Sequence, residues 1–122
     1  MSQIIPGKQA IRILRGADFS FGPFEIDIAG TVLNLAGATV LSQIRASQNR
    51  NSALMADFSV AVTTGAITGY LSDIELTLTD TQTVALVGSE GWFDVLIIDA
   101  GGIDTYYLEG HVSVEGTVTV KP

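Results

Sequence analysis

With 122 residues, 47% of them hydrophobic and none of them cysteine, the chain suits one ordinary domain with a two-layer core. The lack of cysteine excludes disulfide frameworks, thiolate metal sites and cysteine nucleophiles together. A net charge of -7 argues against a nucleic-acid partner, because such binding rests on phosphate neutralisation by Lys and Arg.

The charge is unevenly spread. Residues 1–50 hold five bases against three acids, a net +2, whereas residues 51–122 hold ten acids against Lys121 alone, a net -9. Such a chain can present a two-signed surface suited to head-to-tail contact between copies or to docking on a basic partner. Alternatively, the two halves intermix in the folded sheets and the asymmetry cancels. Residues 1–6 lack the charged start and long apolar run of a secretory signal. No stretch approaches the roughly 20 apolar residues that span a bilayer. A soluble protein without a membrane partner is expected.

Residues 1–9 read as an N-terminal arm, and residues 10–122 as one domain. In the arm, Ile4 and Ile5 are apolar residues outside any strand pattern. They suit either a disordered terminus or a strand added to a neighbour's sheet edge, ordered only on that partner.

Residues 10–14 form the first β-segment. Phe19-Ser20-Phe21 alternates, breaks at Gly22-Pro23, and resumes with Phe24, Ile26 and Ile28 on one face and Glu25 and Asp27 on the other. Gly30 and the Asn34 to Gly37 bend mark turns. In residues 39–45, Val40, Ser42 and Ile44 lie opposite Leu41, Gln43 and Arg45. Residues 46–56 are polar and loop-like. Phe58, Val60 and Val62 mark another half-buried strand, Gly65 and Gly69 bracket a short extended piece, and Ile74, Leu76 and Leu78 continue the pattern. Residues 79–86 break the β rhythm. There Thr79 or Asp80 can cap a single helical turn closed by Val84, Ala85 and Leu86. Residues 91–99 then run into a Gly101-Gly102 hairpin turn, residues 103–115 return, and residues 117–120 extend or follow that strand. The expected fold is all-β: an antiparallel, immunoglobulin-like two-sheet β-sandwich with one short crossover helical turn near residues 79–86.

Five segments, taken in order, resemble small β-sandwich domains of phage tail and baseplate proteins, in particular the N-terminal domain of upper baseplate and receptor-binding tail proteins. Arg15-Gly16-Ala17-Asp18-Phe19 is similar to an "RGDDF" opening, and Asn34 to Val40 with Gln43-Ile44-Arg45 to a "DLTGATV..QIR" segment. Residues 78–86 are similar to "LSAAQTAAL". Trp92 to Val95 and Leu108 to Val114 resemble the closing "YDL" and "LEGRVTV" strands. The likeness spans about residues 11–115 and departs from the pattern at Asn34, where the family has Asp, and in a longer loop at residues 69–73. It implies a virion protein assembled in the host cytoplasm, with other virion proteins and copies of itself, plausibly a trimer, as partners. Family members continue into a fibre or receptor-binding domain. This sequence stops where they continue, so a capsid decoration protein stands as an alternative location. Sandwiches of this size also commonly bind sugars, so a carbohydrate-binding host-recognition module, with Trp92, Tyr106 or Tyr107 as a stacking platform, stands as another alternative.

Few residues could carry chemistry. His111 is the single imidazole, and alternation points it with Glu109 and Ser113 toward a polar face, as a surface histidine beside an acid. No nucleophile elbow, P-loop or dinucleotide fingerprint is present. Asp94 and Glu109 fall on neighbouring strands, yet glycoside hydrolysis needs two carboxylates roughly 5–9.5 Å apart in a cleft, and a sandwich with short loops offers none. Asp99 and Asp104 flank the Gly101-Gly102 turn and supply too few oxygens for Ca²⁺. No catalytic residue, cofactor or metal is expected.

The informative feature is apolar. In residues 91–99, Phe93, Val95 and Ile97 make a core stripe, while the other face carries Trp92, Asp94, Leu96 and Ile98. A face meeting water should be more polar. Either the chain covers this face or another subunit does. Trp92, Leu96 and Ile98, with Tyr107 expected on the same outward face of the next strand, are the candidate protein interface, together with Ile4 and Ile5.

Overall fold

The computed structural model describes residues 7–25, 27–28, 31–32, 35–64 and 72–117 of the chain. Within them run β1 (Gly7–Lys8), β2 (Ile11–Leu14), β3 (Phe19–Glu25), β4 (Asp27–Ile28), β5 (Thr31–Val32), β6 (Thr39–Arg45), β7 (Leu54–Asp57), β8 (Ser59–Thr64), β9 (Ser72–Leu78), α1 (Asp80–Val84), β10 (Glu90–Ile98) and β11 (Asp104–Glu115). Ile4, Ile5, Ile26, Gly30, Asn34, Gly65, Gly69 and residues 118–120 lie outside the described residues.

Alternation has the consequence it should: each strand with one apolar face lays that face on another sheet. The larger sheet takes the order β1-β11-β10-β6-β7, with β2 continuing β1 along the same edge of β11. The smaller is β3-β9-β8, and β4 and β5 form a separate pair. Val40 and Ile44 of β6, Phe93, Val95 and Ile97 of β10, and Val112 and Val114 of β11 face Ile74, Leu76 and Leu78 of β9. Phe58, where the chain leaves the larger sheet for the smaller, packs against Phe19 at 6.0 Å and edge-on against Phe93 at 6.2 Å. Buried Ser42 is satisfied by donating to the Asp94 carbonyl at 2.6 Å.

The all-β, two-sheet sandwich is therefore present, with three amendments to the expectation. Its opening edge is parallel: β1 and β2 pair with β11 in the same direction. Among the described residues the sheet already includes Gly7 and Lys8, inside the expected arm. The expected loop of residues 46–56 gives way to β7, which pairs with β6 through Gln43↔Asp57 and Ile44↔Ala56. Only Met55 and Ala56 of β7 are half-buried, both in mid-strand, so no alternation announces it.

The helical turn forms as expected because Thr79 and Gln82 make a reciprocal capping box. Its buried Thr83 does more than pack. The hydroxyl accepts from the Gly16 N–H at 3.1 Å and donates to the Ala17 carbonyl at 2.9 Å. Arg15 reaches the Leu86 and Gly88 carbonyls, and Asp18 accepts from the Asp80 N–H at 2.8 Å. Two of the five segments that carry the resemblance thus form one clasp between the layers. A Thr83→Val change keeps the shape and removes the partner of a half-buried N–H and carbonyl. The expected cost is about 1–3 kcal/mol in urea unfolding, and an unchanged midpoint would show that these bonds contribute nothing net.

Candidate functional site

The outer face of the larger sheet is organised in rows across its three central strands. Strand pairing sets Arg45, Trp92 and His111 side by side, then Gln43, Asp94 and Glu109, then Leu41, Leu96 and Tyr106, and finally Thr39, Ile98 and Asp104. Directly opposed residues have Cβ atoms about 4.5–5.5 Å apart, so each row is a set of neighbouring side chains. The first two rows are polar and aromatic, and the third is apolar.

In the first row the Trp92 indole meets the His111 ring edge-on at 5.0 Å, and His111 Nε2 lies 3.1 Å from the Glu90 carboxylate. The acid bonded to the single histidine is therefore Glu90, across the hairpin, while Glu109 pairs with Lys8. Gln43 donates to Asp57 at 2.8 Å and accepts from Arg45 at 3.0 Å. Arg45 also donates to the Ser52 carbonyl at 2.9 Å. That last bond ties Arg45 to the loop of residues 46–53, which walls an open groove of about 1260 Å³ whose lining includes Trp92, Asp94, Asn49 and Arg50.

Asp94, half-buried in the second row, accepts no hydrogen bond from a described residue. Burial pushes its carboxyl above the ordinary aspartate range, against the opposing pull of Arg45 and Arg50. A raised acid makes the folded form the better proton acceptor. Its destabilising contribution is thus full at neutral pH and is relieved as pH falls through the folded value. Asp94→Asn is accordingly expected to melt higher than the parent at neutral pH, with the difference closing below about pH 3.9, the unperturbed value. A variant that melts lower at neutral pH would mean that the ionised carboxylate is favourably held.

Bases of the first half meet acids of the second across neighbouring strands, as Lys8–Glu109 and Arg12–Glu115, and Arg45 and Arg50 act on Asp94. The charge asymmetry along the chain is intermixed at these positions, as the second of the two readings has it.

Of the residues singled out from sequence, Trp92, Leu96 and Ile98 share this outer face, each half-buried. Tyr107 does not. A β-bulge pairs Val95 with Leu108 and Leu96 with Tyr106, which leaves Tyr107 as the extra residue. Its ring stacks on Phe24 of the smaller sheet at 6.5 Å and 5°. Tyr106, 39% exposed, holds the outward place instead, and Leu41, 50% exposed, completes the row. Leu41 was readable, since alternation sets it opposite the Val40 stripe. Asp99 Oδ1 accepts from the Gly101 and Ile103 N–H groups at 2.9 Å, so this carboxylate builds the hairpin turn. No three His, Cys, Asp or Glu side chains gather into a metal-binding group among the described residues.

No protein-family model matches the chain, and no curated protein matches its sequence.

Proposed function

We propose that the chain is a non-enzymatic structural module of a phage particle, seated in the tail, baseplate or fibre attachment, which docks through the apolar end of the larger sheet's outer face. The observation that carries this reading is the Leu41–Leu96–Tyr106 row with Ile98 beside it. A sheet face that meets water is ordinarily polar, and a contiguous exposed apolar patch marks an interaction surface. The phage setting rests on the resemblance of the five ordered segments. Two of these, the Arg15 to Phe19 turn and the helical turn, are joined in the clasp.

The partners under this reading are other virion proteins and further copies of the chain, a trimer being the arrangement proposed. Immunogold labelling of purified particles tests it. Label at the tail tip or baseplate is the expected result. Label spread over the head would assign a capsid decoration role, and particles without label would end the proposal.

A further inference from the structure

We propose that the polar half of this outer face binds a neutral oligosaccharide, with the Trp92 ring as stacking platform and Asp94, Asn49 and Arg50 as hydrogen-bonding groups. The inference goes beyond assembly and rests on the Trp92 and Asp94 rows, in a groove that Leu41, Leu96 and Tyr106 also line.

Trp92 lies at the centre of its row, between Arg45 and His111, on the floor of a groove walled by the loop of residues 46–53. An indole offers an apolar face to a sugar ring and an N–H that seeks an acceptor. Among the described residues nothing accepts from that N–H. One row away, the Asp94 carboxylate is half-buried without a donor among the described residues, and the Arg50 guanidinium and Asn49 amide nitrogen on the wall have no acceptor among them. Gln43 and Arg45, by contrast, are tied to each other, to Asp57 and to the loop. A sugar hydroxyl is donor and acceptor at once. It can accept from the exposed Asn49 and Arg50 nitrogens and donate to the half-buried Asp94 carboxylate in place of water, where an apolar ligand would leave the carboxylate with neither.

The mixed signs select further. Asp94 and Glu109 share the groove with Arg45 and Arg50, so a strongly charged partner of either sign meets repulsion and a neutral polyhydroxyl does not. A second copy stacked face to face about a two-fold axis would bring two Asp94 carboxylates together where one is already poorly solvated. A few polar groups set beside an aromatic wall is the ordinary composition of a small-ligand site.

The test is titration of the full chain with cellohexaose, mannohexaose, maltoheptaose and the chitin hexamer. Binding is read by emission of Trp92, the single tryptophan, and by amide NMR shifts. The expected result is millimolar binding of at least one sugar, with shifts at Asn49, Arg50 and Asp94. That binding should weaken at least about tenfold in Trp92→Ala and Asp94→Ala and persist in Ile98→Asp, which lies outside the groove lining and separates it from assembly. Trp92→Phe keeps a ring and should retain weaker binding, so the test survives if Trp92→Ala fails to fold. Absence of binding by every sugar at tens of millimolar overturns the inference, as does binding that Trp92→Ala and Asp94→Ala leave intact.

Discussion

A Gly110→Ala chain is expected to lose the pairing of its opening strand and to unfold at distinctly lower urea. The Gln9 N–H donates to the Glu109 carbonyl at 2.9 Å, and the link between β1 and β2 presses its backbone against Gly110 there. A methyl at Gly110 would lie 2.5 Å from the Gln9 carbonyl carbon and nearer still to its oxygen. The obstacle is backbone and cannot swing aside. Relief requires shifting β1 or β2, and β2 carries Ile11 and Ile13 into the core. Overpacking typically costs about 1–3 kcal/mol, and a clash with main chain belongs at or above the top of that range. Gly116→Ala is the control, since nothing lies within 4 Å of a methyl there. Denaturant melts of the two variants check the expectation. Equal midpoints would mean that the β1–β2 edge yields freely, and that the parallel pairing contributes little.

Leu96→Asp is expected to abolish association while leaving the fold near its parental stability. Leu96 sits between Leu41 and Tyr106 on a face the isolated chain leaves half open to water, so the free subunit can solvate a carboxylate there. In the assembly the same carboxylate would replace a side chain whose full burial stabilises by about 1.5–3 kcal/mol, and it would add the cost of desolvating a charge. Together these raise the dissociation constant by about a hundredfold or more. Light scattering across a dilution series, beside thermal melts, separates association from folding. A variant that associates as tightly as the parent would remove this face from the interface.

The readable parts of the sequence are those where one strand's own alternation decides the outcome. The stripes of β6 and β10 put Val40, Phe93 and Val95 inside and Trp92, Leu96 and Ile98 outside, and the capping box of Thr79 and Gln82 marks the helical turn. Tyr107 was misplaced because alternation assumes one residue per step, and the bulge between Tyr106 and Leu108 adds one that no local residue signals. β7 escaped for want of a pattern, and the parallel pairing of β1 and β2 with β11 joins the two ends of the chain, where no local signal reaches. The same limit hid the groove. Asp94 beside Glu109 follows from the hairpin, but Arg45 beside Trp92 depends on a non-local pairing of β6 with β10.

Sedimentation equilibrium of the unaltered chain over a wide concentration range tests most directly whether the Leu41–Leu96–Tyr106 row holds copies together. The account predicts a discrete oligomer, a trimer as proposed, that dissociates to single chains on dilution. A chain that stays monomeric at every concentration would contradict it.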